Sequence, residues 1–246
     1  MSLNKGYCNF LNKKLKDSPP KLKSDRTHAA LNLATARLLE KDGYNNLRVA
    51  DISFMAGVGT TTFHYHYKNR TEAAKEVLIE FLEEVASIPF NTPHDAKTFA
   101  RIYYGNKVFI DIFQANPGLM RCMFQLWDQD KEFSNVWREM SLGWYQRVAE
   151  TTVSRHPEKI DKSLMYLTIY SLGGMVDEFL RGLYLYQDSS VLEIIKDRNL
   201  NNDAIAYFIT AIWYRSIFGK DPDETLDGID PDIIKIFDEG LGIRPL

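Results

Sequence analysis

Apolar side chains recur along this chain at helical spacing, and no stretch shows the strict alternation of a strand. Leu31, Ala34, Leu38 and Leu39 predict a helix over about 26–41, closed at Gly43. Val49, Ile52 and Met55 lie on one side of a second helix, 49–56. Gly57, Val58 and Gly59 then form a turn into a third, about 60–67. Asn69 precedes Glu72 at capping-box spacing, and Ala74, Val77, Leu78, Phe81, Leu82 and Val85 trace a fourth helix up to Pro89 and Pro93. Phe99, Ile102, Tyr103, Asn106, Ile110 and Phe113 predict another, stopped at Asn116, Pro117 and Gly118. A shorter helix is expected over 119–128, and Phe133, Trp137, Met140, Trp144 and Val148 trace one ending before Pro157. Long helices are expected over 161–186 and over 202–218, the latter with Ile205, Phe208, Ile209, Ile212 and Trp213. Residues 1–24 carry six lysines and a Ser18, Pro19, Pro20 break, which reads as a solvated basic arm. The Asp- and Pro-rich tail after Gly219 gives no pattern.

The spacing of residues 49–70, short helix, glycine turn, short helix and helix start, is that of a helix-turn-helix, which sets its second helix in the DNA major groove. Phe63 and Tyr67 are four residues apart and form an apolar anchor. Thr61 and Tyr65 point the opposite way, with Thr62 and His64 on the flanks. Three successive β-branched residues, Thr60, Thr61 and Thr62, are a poor choice for helix stability. Contact with bases and phosphates gives them a purpose, since recognition helices read with their N-terminal residues. Arg48, Lys68 and Arg70 bracket the segment and suit phosphate oxygens, Arg70 beside free helix N–H groups.

Charge changes the picture only when divided. The net charge is −3, yet residues 1–75 hold 13 Lys or Arg against 6 Asp or Glu, and the remainder holds 17 against 27. A basic first third on an acidic body fits a chain with one end on a polyanion.

Residues 26–82 resemble the N-terminal domain of the TetR family of transcriptional regulators. The resemblance rests on Gly43 and Tyr44, on Val49, Ala50, Asp51 and Ile52, and on Ala56, Gly57 and Val58 at the turn. It continues through Thr62, Phe63, His64, Tyr65, His66 and Tyr67 into Lys68, Asn69 and Arg70. Phe63, His64, Tyr67 and Arg70 stand where the family usually has Leu, Tyr, Phe and Lys. Ser53 and Gly59 replace a common Ala and Ser, and Leu47 and Arg48 replace Thr residues.

The resemblance implies an all-α fold: a three-helix helix-turn-helix domain, 25–70, joined to a larger helical domain, 71–246, for effector binding and dimerisation. It implies a homodimer through helices 161–186 and 202–218 on a double-stranded, pseudo-palindromic operator, and a ligand-responsive repressor as the default activity. Ser171, Gly173, Gly174 and Gly182 would let helices approach closely. The alternative is a helix-turn-helix protein that acts without a small-molecule effector, through partners or DNA architecture. A largely apolar effector would be lined by aromatic and methionine side chains: Phe113, Met120, Met123, Phe124, Trp127, Trp137, Met140, Trp144, Tyr166 and Tyr170. Such stripes are more often ordinary core. Asp177, Glu178 and Arg181 put charge into the long helix, where they could orient a polar ligand or pair at the dimer surface, with a solvated face as the expectation.

Cys8 and Cys122 are the only cysteines, so neither a disulfide framework nor a thiolate metal site is expected. No cofactor is expected. His64 and His66 diverge on a helix, and no His-Glu-x-x-His, Walker loop or nucleophile elbow occurs, so the chain does not read as an enzyme. Without an apolar run of membrane-spanning length or a secretory segment at Met1, a cytoplasmic location away from the membrane is the expectation.

Overall fold

The structure, a computed structural model, describes residues 3–88, 96–155, 161–222, 226 and 231–240. Among these the regular elements are helices, with no strand. They divide into two compact units, Met1–Ile88 with Ile112–Ser141, and Pro89–Asp111 with Leu142–Leu246.

In the first unit a 3-10 turn, Leu3–Lys5, leads into α1, Tyr7–Asp17. This corrects the expectation of a solvated arm. Leu3 and Tyr7 are buried, and the Tyr7 ring lies 5.1 Å from that of Phe81. The Tyr7 N–H donates to Asn116 Oδ1 at 2.6 Å. Lys13, Lys14 and Lys16 occupy the solvent side of this amphipathic helix; Lys14 sits 5.6 Å over the Phe10 ring and 3.5 Å from Glu84.

Helix α2, Lys23–Asp42, is the centre of this unit and packs against α1 and three later helices. After a 3-10 turn at Tyr44–Asn46 come α3, Val49–Met55, α4, Thr60–His66, and α5, Arg70–Ser87. Helix α3 buries Ile52 and Ser53, whereas Met55, expected on the inner side, is exposed. The Ser53 hydroxyl is satisfied by the Val49 carbonyl at 2.8 Å, which lets a small polar residue take the inner position. Asn69 caps α5 as expected, its Oδ1 accepting from the Glu72 N–H at 3.0 Å. The Glu72 carboxylate reaches back to the Lys68 N–H at 2.5 Å, one residue earlier than the usual box. Pro89 and Pro93 lie outside the described residues.

Helix α6, Thr98–Ala115, is followed by α7, Pro117–Gln129, and α8, Lys131–Arg155, and the division between units falls within α6 and α8. The start of α7 is capped from α2: Glu40 accepts from the N–H groups of Gly118 at 3.0 Å and Leu119 at 2.9 Å. The backbones meet so closely here that a Cβ on Gly118 would lie 1.9 Å from the Glu40 carbonyl oxygen. Helices α5 and α7 thus belong to the same unit as the helix-turn-helix, not to a separate body beginning at residue 71.

The second unit contains α9, Lys162–Leu180, α10, Ser189–Asp197, α11, Asn202–Phe218, and α12, Pro231–Gly240. The long helix expected to 186 stays α-helical only to Leu180. It continues as a π-helical turn, Arg181–Tyr186, and ends at Gln187 in a left-handed conformation. Helix α11 is buried along most of its length, as its apolar run requires. Two of its polar residues are matched: Asn106 donates to Thr210 Oγ1 at 3.0 Å, and the Tyr103 hydroxyl to Asp203 at 2.9 Å. Helices α10 and α12 had no counterpart in the sequence reading. No described helix is long and apolar enough to cross a membrane.

Candidate nucleic-acid interface

The reading helix is held from behind and bare in front. Phe63 is wholly buried and Tyr67 nearly so, with ring centroids 5.5 Å apart. Tyr67 is no longer helical. It is the extended cap after His66, and its hydroxyl enters a polar cluster beneath the helix-turn-helix. The hydroxyl donates to Asn32 Oδ1, lies 2.9 Å from His28 Nε2, and lies 3.1 Å from Glu76 Oε1. Asn32 also donates to Glu76 at 3.1 Å, and His28 Nε2 lies 2.9 Å from the same carboxylate oxygen. Burial and then the neighbouring Glu76 charge push the Glu80 carboxyl above its ordinary range. Burial and then His28 depress His66, whose ring lies 5.4 Å from that of His28. The cluster joins α2, the end of α4 and α5. Tyr67 in place of a Phe was its only signal in the sequence.

On the outer side, Thr60, Thr61, His64 and Tyr65 are exposed and Thr62 is half-buried. Tyr65 is 80% exposed. Helix α4 starts at Gly59 with no side-chain cap, so the threonines are not spent on capping. Arg48, also without a capping bond, stands exposed at the start of α3, and Lys68 is exposed after α4. Arg70 is differently placed. Its guanidinium donates to the carbonyls of Leu47 at 2.6 Å and Asn45 at 3.2 Å and stacks over the Tyr44 ring at 5.5 Å. Sequence reasoning missed Phe54, which is 88% exposed on α3. A large apolar ring that far out of the inner stripe is the signal that could have found it.

The ten aromatic and methionine residues singled out for an effector fall into two sets. Phe113, Met120, Met123, Phe124, Trp127, Trp137 and Met140 belong to the first unit, and Trp144, Tyr166 and Tyr170 to the second. Phe113, Met120 and Met123 are buried core, and Trp137 packs on Phe124 at 5.2 Å and on Trp127 at 5.3 Å. In the second unit Trp144 meets Trp213 at 6.3 Å and Tyr145 at 5.3 Å, and Tyr170 meets Tyr145 at 5.5 Å. Among the described residues no His, Cys, Asp and Glu cluster could hold a metal.

No protein-family model matches the chain. The HTH-type transcriptional regulator EthR of Mycolicibacterium smegmatis is 23% identical over 205 residues, covering 80% of this chain and 89% of that protein. Among solved structures, a TetR-family transcriptional regulator from Bordetella parapertussis aligns with TM-score 0.55 and 12% identity over 76% of this chain and 93% of its own. The fatty acid degradation regulator FadR from Bacillus halodurans aligns with TM-score 0.57 and 14% identity, covering 78% and 95%. The chain has the fold of TetR-family transcriptional regulators: a helix-turn-helix followed by a larger helical region.

Proposed function

We infer that this chain is a DNA-binding transcriptional regulator of the TetR type, a ligand-responsive repressor that works as a homodimer on a pseudo-palindromic operator. The observation that carries the reading is the bare outer side of α4. Thr60, Thr61, His64 and Tyr65 face solvent while Phe63 and Tyr67 fix the helix from behind. Hydroxyls, an imidazole and a phenol at these positions suit base edges and phosphate oxygens. Arg48 and Lys68 supply phosphate contacts, and Arg70 acts by holding the start of α5 against the segment that enters α3.

One short helix offers too few base contacts for tight specificity, so two copies must act together. Exposed Leu164, Leu167 and Met175 on α9 support that reading. With Thr168, Ser171, Leu172 and Ser216 of α11, the two leucines line a shallow, mostly apolar groove. A second copy of this chain is the occupant that a two-fold operator calls for, with α9 and α11 of each subunit packed together. A small, largely apolar effector bound in the larger helical region would favour one arrangement of the reading helices, by binding the two states unequally.

Selection of bound DNA from random sequence at fixed salt tests the function. The expected product is an inverted repeat with half-site centres about 34 Å apart or a multiple of that. Recovery of no common sequence by a folded protein would overturn it.

A further inference from the structure

Helix α9 presents three sides. Met165, Ile169, Leu172, Val176 and Leu180 form the core side, and Leu164, Leu167, Ser171 and Met175 the outward side. The third side, through Tyr166, Tyr170, Gly173 and Asp177, meets Tyr145 of α8. The Tyr145 ring lies so close to Gly173 that a Cβ there would come within 2.4 Å of it. One turn further on stands Asp177, whose carboxylate makes no hydrogen bond or ion pair with any described residue. Its neighbouring cation, Arg181, is engaged elsewhere. It pairs with Glu178 at 3.2 Å, bonds the Tyr186 hydroxyl and stacks over that ring at 5.4 Å. From Tyr145 the rings continue through Trp144 to Trp213, whose Nε1 is fully buried without a partner.

A carboxylate without a hydrogen bond beside Tyr145, at one end of this run of rings, and an unpaired indole N–H at the other are a poor solution for a core, because each gives up water with no hydrogen bond in return. We propose that Asp177, Trp213 and the rings of Trp144 and Tyr145 form a subsite for an organic amine effector. The protonated nitrogen is held at Asp177, the apolar body lies among the rings, and an acceptor on the ligand takes the Trp213 N–H. This deepens the ligand-responsive reading above and rests on it. Ring faces add to the attraction for a cation, and the same carboxylate disfavours a carboxylic acid. Burial pushes the Asp177 carboxyl up to about 6 against the opposing pull of Arg181. A bound cation would return it toward its ordinary range.

The test uses the full chain at neutral pH with a matched set of probes, phenylbutylamine, phenylbutanol and phenylbutyrate, followed by calorimetry and tryptophan fluorescence. The amine is expected to bind tightest, by roughly tenfold over the alcohol. Asp177→Asn should abolish that preference, and Glu193→Gln, exposed on α10, should keep it. Equal binding of the three probes, a preference that survives Asp177→Asn, or no binding by any of them would overturn the proposal. Binding of selected operator DNA by the same preparation separates the two readings. Operator bound but no amine ends the subsite alone; amine bound with no DNA site in any selection ends the regulator reading.

Discussion

The Arg70 guanidinium donates to the Leu47 carbonyl at 2.6 Å, tying the first residue of α5 to the segment that enters α3. This bond, with the stacking on Tyr44, gives Arg70 a positioning role within the helix-turn-helix unit. Arg70→Ala should therefore lower both DNA affinity and thermal stability, whereas Lys68→Ala should lower affinity alone. Removing the Arg70 contacts should cost about 1–3 kcal/mol, by analogy with other hydrogen bonds to charged groups. Urea unfolding beside DNA titration measures the two effects. Unchanged stability in Arg70→Ala would return this side chain to a purely DNA-facing role.

Thr61→Ala removes an exposed hydroxyl and methyl, and Tyr65→Ala an exposed ring whose contact is with the neighbouring His66 ring at 5.1 Å, so folding stability should change little. Specific binding should weaken by about 1–3 kcal/mol each, with little change on random DNA. Lys68→Ala should weaken binding to all sequences and reduce the salt slope by about one. Titrations on specific and random duplexes at several salt concentrations check this. A uniform loss from Thr61→Ala would place it on phosphate rather than base.

Tyr67→Phe keeps the ring against Phe63 but deletes the hydroxyl shared by His28, Asn32 and Glu76. Leaving those partners short of a bond should cost about 1–3 kcal/mol. DNA affinity should fall with it, because α4 loses its tie to α2 and α5. A variant as stable as the parent would show the cluster to be incidental.

Asp177 makes a signed prediction in pH. Its carboxyl rises from 3.8 to about 6 on folding, so the unfolded chain loses the proton first as pH increases. Stability is highest below the unfolded value, falls as pH rises from about 4 to 6, and is flat above, with a total loss on the order of 3 kcal/mol. Asp177→Asn should remove this component and raise the melting temperature at neutral pH. Superimposable pH–stability curves for the two proteins would show that the carboxylate is compensated.

Leu167→Glu puts a charge on the outward side of α9, where Leu167 is 58% exposed in the single chain. The folded variant should sediment as a monomer and lose operator affinity by several orders of magnitude while keeping its helical content. A dimeric variant would move the subunit contact to another face.

Most helices were legible in the sequence because their apolar periodicity is strong, as in α5 and α11, and because Gly43, Asn69 and Pro117 mark ends with unambiguous local chemistry. The outer side of α4 followed from four-residue spacing alone. What escaped depends on partners distant in sequence. Helix α1 reads as a lysine-rich arm until Phe81 and Asn116 are brought beside Tyr7. The two carbonyls that meet Arg70 are likewise invisible in its own segment. Met55 and Ser53 exchanged places because the rotation of a seven-residue helix is set by what it packs on. A stretch of aromatic residues likewise says nothing of which unit each side chain enters.

The approach of α7 to α2 at Gly118 leaves nothing compressible between the two backbones. An alanine there would drive them apart, and a sideways push on α7 has no soft side chain in which to dissipate. The helix pressed there, α2, is the one whose Asn32 accepts from the Tyr67 hydroxyl, so a side chain at position 118 would displace the element on which the reading helix is anchored.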